Sequence, residues 1–175
     1  QDSVRKFAKN ELTAVAAQIE LTGKPPNKKI IQKFSDMGFL GVNLSQKYGG
    51  LGMSNFEAVL VLEEVAKISI ALAFPVFESC FGPALAISYF ASEKLKEKTL
   101  SKVCSGKMIL AVAMSEPHAG SALTDLSTSA TISNGRVLVN GTKRWCSGAS
   151  HADAYVVYCK MSNEQGANGI GAVLI

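Results

Sequence analysis

Over roughly the first hundred residues the apolar positions recur at three- and four-residue steps, the spacing of helices. Val4, Phe7, Ala8, Leu12, Val15, Ala16 and Ile19 form one stripe, which predicts a helix ending near Gly23 and the Pro25-Pro26 pair. Asn27 stands where it can cap a second helix carrying Ile30, Ile31, Phe34 and Met37, and Gly38 stops it. Tyr48-Gly49-Gly50-Leu51-Gly52 is too rich in glycine to be helical, whereas Ser54 with Glu57 three residues on reads as a capping box before Val59, Leu60, Leu62 and Val65. Ser92 starts a further helix through Lys94, Lys98 and Lys102, ending at Gly106. After Lys107 the pattern changes to short apolar or β-branched runs at 108–114, 128–133, 136–140 and 155–159, with Asn134-Gly135 as a hairpin signal and Asn140-Gly141 as a second break. The expected architecture is an N-terminal all-α helical bundle domain over residues 1–107, then an antiparallel β-barrel domain over 108–175. That barrel is expected to be incomplete, because the apolar strand at 171–175 finds no closing partner in the pattern.

One stretch has to be weighed against the membrane. Between Lys67 and Glu93 the only charge is Glu78, and 68–91 is long enough to span a bilayer. Pro75, Gly82 and Pro83 interrupt it and no basic cluster or aromatic belt flanks it, so a buried core helix broken near Pro83 is expected instead of a span. The net charge of +4 comes from scattered basic residues, which gives nucleic acid binding no support. Charged residues make up 18%, below the ~25% usual for soluble domains, so a surface covered by other protein is expected. Cys80, Cys104, Cys146 and Cys159 form no C-x-x-C pair and only two histidines accompany them, which points to neither a metal site nor a disulfide framework. A reducing compartment follows, and no signal-peptide pattern is read.

Two segments carry candidate chemistry. Residues 111–121 start as a strand, turn at Pro117 and continue through Gly120 and Ser121, so that backbone amides and small hydroxyls are open to a flat polar ligand. Further on comes Lys143-Arg144-Trp145-Cys146-Ser147-Gly148, with the only tryptophan. On a strand able to pair with the first, an aromatic beside a hydroxyl suits stacking on a ring system; a core or interface tryptophan is the alternative.

These segments resemble those of a known family. Tyr48-Gly49-Gly50-Leu51-Gly52, Ser115-Glu116-Pro117-His118-Ala119-Gly120-Ser121 and Asn140-Gly141-Thr142-Lys143-Arg144-Trp145-Cys146-Ser147 match, in order and spacing, motifs of the acyl-CoA dehydrogenases, which use FAD. The resemblance implies α,β-dehydrogenation of an acyl-CoA, electrons passing to an electron-transfer flavoprotein, and a homotetramer. It implies that Val112, Met114, Ser115, Gly120, Ser121, Trp145, Cys146 and Ser147 hold the flavin. Within this set Ser115 faces the pyrimidine end, Trp145 packs against the ring, Ser147 lies near N5, and Ser121 also lies near the CoA arm. Glu78, reached by counting back from Ser115, is implied to face the acyl pocket, with a capping or surface carboxylate as the alternative. Glu116 is read as part of the structural turn. No catalytic residue is expected in these residues, since family members take the α-proton with a glutamate in a C-terminal helical domain. Three departures stand out: serines replace both threonines of the motifs, His118 replaces a frequent glycine, and Ala122 stands where aspartate is usual. An acyl-CoA oxidase and a non-catalytic flavin-binding member are the alternatives. The bacterial cytoplasm, or else the mitochondrial matrix, is the expected compartment.

Overall fold

Side-chain caps set most of the helix starts. In the computed structural model, which describes residues 1–175, Asn27 accepts from the Ile30 amide, Ser54 and Glu57 form the reciprocal capping box, and Ser69 and Ser92 cap two later helices. The chain divides into two units, Gln1–Ile109 and Leu110–Ile175.

The first unit is helical. It contains α1 (Asp2–Phe7), α2 (Thr13–Thr22), α3 (Lys28–Asp36), α4 (Asn55–Ala66), α5 (Ile70–Cys80), α6 (Pro83–Phe90) and α7 (Glu93–Cys104). The single helix expected at the start is α1 and α2 joined by a π turn at Ala8–Leu12, an irregularity that the three- and four-residue spacing does not reveal. Its inward stripe and the other helices enclose one core, with Leu12, Phe34, Val65, Leu72 and Val76 fully buried and Phe7 meeting Phe39 edge-on at 5.4 Å. Residues 70–90 are long and apolar enough to cross a membrane by length and composition alone. They form two helices, broken at Phe81-Gly82 with Pro83 in the first turn of α6, and Leu72, Val76, Cys80 and Ala84 are buried within the unit.

The second unit corrects the expectation of an antiparallel barrel. Its strands are β1 (Leu110–Ala113), β2 (Ser129–Ser133), β3 (Arg136–Asn140), β4 (Ala154–Lys160) and β5 (Ile170–Leu174), and they form one open, mixed sheet in the order β1-β4-β2-β3, with β5 also on β4. β1 runs parallel to β4 with Leu110 opposite Ala154, and β2 meets β4 in parallel at Ser129 and Lys160. Only β2–β3 and β4–β5 are antiparallel. The reason lies in the connection: after β1 some forty residues pass before β4, and a strand returning over so long a crossover can pair in parallel. β5, expected to lack a partner, is paired along its length with β4.

Candidate functional site

Alternation along β1 sorts its side chains. Ala111 and Ala113 are buried on one face, while Val112, and Met114 just beyond the strand, are half-buried on the other. The chain then enters the turn Glu116–Ala119, closed by the Glu116 amide donating to the Ala119 carbonyl at 2.8 Å. His118 lies exposed on this turn, and Gly120 and Ser121 follow it at the surface.

Glu116 holds the site together. Its carboxylate accepts from the Ser127 amide (2.7 Å) and hydroxyl (2.6 Å), from the Thr128 amide (2.9 Å) and from Lys143 Nζ (2.8 Å). Burial alone would raise its pKa, but Lys143 and the Ser127 and Thr128 donors outweigh that and keep the carboxyl well below the usual carboxylate range. Lys143 Nζ also donates to the Met114 carbonyl at 2.9 Å, and the Arg144 amide donates to the Ser115 carbonyl at 2.9 Å. Two segments nearly thirty residues apart are thereby locked side by side.

Trp145 follows at once, and here a second expectation is corrected. It is not on a strand that pairs with the first: residues 141–146 have no regular structure, and Trp145 adopts a left-handed backbone with φ 59°. Such a conformation costs a non-glycine residue about 1–2 kcal/mol, and it leaves the indole 78% exposed with the Arg144 guanidinium 4.2 Å from the ring centre. A strained backbone displaying a large aromatic face is characteristic of a binding surface. Ser147 is exposed beside it.

Cys146 follows Trp145 and is half-buried. It lines a cleft of about 340 Å³ with Ala113, Thr128, Lys143 and Tyr155, on the Ala113 face of β1 and opposite Val112 and Met114. Glu78 belongs to the helical unit, buried near the end of α5 with Oε2 lacking any hydrogen-bond partner. Two contributors were not singled out by sequence reasoning: the Lys143 side chain and the Arg144 main chain, which join the motifs. The signal for the first was a lone lysine in one motif and a lone carboxylate in the other.

Residues 1–107 match the family "Acyl-CoA dehydrogenase, N-terminal domain", and residues 111–175 match "Acyl-CoA dehydrogenase, middle domain". An acyl-CoA dehydrogenase of Bacillus subtilis is 31% identical over 98% of this chain and 45% of its own length. The mitochondrial isovaleryl-CoA dehydrogenase of Arabidopsis thaliana is 31% identical over 100% of this chain and 43% of its own. Among solved structures, a glutaryl-coenzyme A dehydrogenase in complex with glutaryl-CoA superposes with a TM-score of 0.92 at 30% identity, covering 99% of this chain and 45% of that one. The FAD complex of PigA does so with a TM-score of 0.90 at 28% identity, covering 99% and 46%. The chain therefore spans somewhat under half the length of the relatives it matches.

Proposed function

The chain belongs to the acyl-CoA dehydrogenase family, and we propose that in the full-length protein it holds FAD for the α,β-dehydrogenation of an acyl-CoA thioester to the trans-2-enoyl-CoA. The observation that carries this is the surface built by Ser115 and Trp145, joined through the Arg144 amide and displaying a strained, exposed indole. These residues fit a flavin: a broad aromatic face lies next to small hydroxyls, and a Cβ at Gly120 would meet nothing within 4 Å, so the backbone there is open to an anionic group. FAD, when bound, supplies the hydride-accepting ring.

The rest is the work of this chain's own residues. Trp145 offers its face to the ring, Val112 and Met114 offer an apolar edge, and the Ser115 and Ser147 hydroxyls offer donors. The Glu116–Lys143 pair fixes the two segments so that these donors are set before any charge develops. Cys146, which lines the cleft on the Ala113 face of β1, is assigned to the flavin through its main chain. Ser121 is assigned to the CoA arm, and Glu78 to the depth of the acyl pocket. No residue of this chain is assigned to α-proton abstraction, which falls to the part of the family's length that it does not span. An electron-transfer flavoprotein is the proposed acceptor and a homotetramer the proposed assembly.

The test is made on the full-length protein. It is expected to purify with FAD, to bleach when an acyl-CoA is added without air, and to pass electrons faster to an electron-transfer flavoprotein than to oxygen. Trp145→Ala is expected to weaken FAD retention by about 1–3 kcal/mol, the scale of an aromatic face removed from a packed site. Unchanged FAD affinity in that variant would remove the observation on which the reading stands.

A further inference from the structure

Three buried glutamates differ in their company. Glu64 meets Arg5, Lys67 and Gln1, and Glu116 meets Lys143, Ser127 and Thr128. Glu78, 7% exposed, has an oxygen that meets nothing. It sits near the end of α5, where the chain breaks before α6, and the Gly82 main chain packs on it so closely that a Cβ there would stand 2.7 Å from Oε2. The rings of Phe74, Phe77 and Phe81, in contact with one another, lie along the same part of the helix. An unpaired polar atom in such surroundings is costly, and a charged one far more so.

No counter-charge is at hand. α5 packs against α4, α6, α2 and the turn at Phe39–Gly41. On α4, Glu57 is spent on the Ser54 cap, and Glu63 and Glu64 on Lys67 and Arg5. On α6 the only titratable group is Tyr89, which is 62% exposed; on α2 it is Glu20, exposed; the turn carries none. On α5 itself the Cys80 thiol donates to the Phe39 carbonyl.

We propose that Glu78 makes the corner between α5 and α6 a protonation-linked hinge, closed over the neutral carboxyl and loosened when that carboxyl ionises. Burial, with no partner acting against it, raises the carboxyl from 4.5 to about 7. Because the closed corner keeps a proton that the opened one has lost, closure is favoured fully below about 4.5, and that advantage is lost as the pH rises to about 7. The segment set free is α6, which ends in the exposed Tyr89 and Phe90. This inference stands independently of the flavin reading.

The experiment is hydrogen exchange on the full chain at several pH values, corrected for intrinsic rates, with carbon-detected titration of the glutamate carboxyls. One carboxyl is expected to titrate near neutrality in the parent and to be missing in Glu78→Gln. Protection of amides in α6 is expected to fall on the order of tenfold to a hundredfold between pH 5 and pH 8 in the parent and to stay level in the variant. The titration of the parent decides even if the variant does not fold. A parent in which every glutamate titrates in the ordinary range, or a folded Glu78→Gln that loses α6 protection just as the parent does, overturns the hinge.

Discussion

At the scale of single residues, the fold treats its carboxylates in opposite ways. Glu64 is buried, yet Arg5, first of all, together with Lys67 and Gln1, draws its pKa from 4.5 down to about 2 against the effect of burial. A depressed native pKa means that the unfolded chain takes up the proton first. The stability that Glu64 contributes is therefore present above about 4.5 and is lost as the pH falls towards 2. Urea midpoints measured from pH 6 to pH 2.5 are expected to decline in the parent and to decline less in Glu64→Gln. A residual slope is expected from Glu116 and Glu93, which are shifted in the same direction. If the variant's acid limb matched the parent's, the Arg5 contact would have no bearing on acid stability.

At the scale of elements, two glycines that look alike in the sequence have different duties. Asn134 and Gly135 both have positive φ, 51° and 71°, which makes the two-residue turn joining β2 to β3. A Cβ at Gly135 would meet nothing, so Gly135→Ala is expected to cost only the left-handed backbone, about 1 kcal/mol. Gly141, at φ 152°, follows another asparagine, but a Cβ there would stand 2.3 Å from Thr128 Oγ1 and 2.6 Å from Thr128 Cα. Gly141→Ala must push the main chain at the head of β2 and is expected to cost roughly 3 kcal/mol or more. Equal urea midpoints for the two variants would contradict this. The Asn134-Gly135 hairpin, the caps at Asn27, Ser54 and Ser92, and the break before Pro83 were legible because each is a local device written within a few residues. The parallel pairing of β1 with β4 was not, since parallel partners are joined by no turn and leave no mark at either strand. Nor was the backbone of Trp145: the usual signs of a left-handed residue are glycine or asparagine, and only the bonds made by its neighbours hold a tryptophan there.

At the scale of the whole molecule, both units keep large apolar residues at the surface as well as in a core. The helical unit leaves Phe56, Ile70, Tyr89 and Phe90 exposed around its buried core, and the sheet unit leaves Ile132, Val137 and Leu138 of its hairpin exposed along with Trp145. Apolar surface of this extent is what a partner surface or a ligand would cover. The position of Trp145 has a consequence for how the protein can be watched. As the only tryptophan, it makes the chain's ultraviolet emission report from one place. Its indole is in water and lies under a guanidinium, so that emission is expected to be red-shifted in the native chain and to move little on unfolding. A flavin laid against the indole would quench it by energy transfer. The protein then carries an intrinsic dye for its own cofactor, and a fluorescence titration of the flavin-stripped full-length protein reads FAD occupancy directly; an emission that stays constant while FAD binds would place the ring elsewhere.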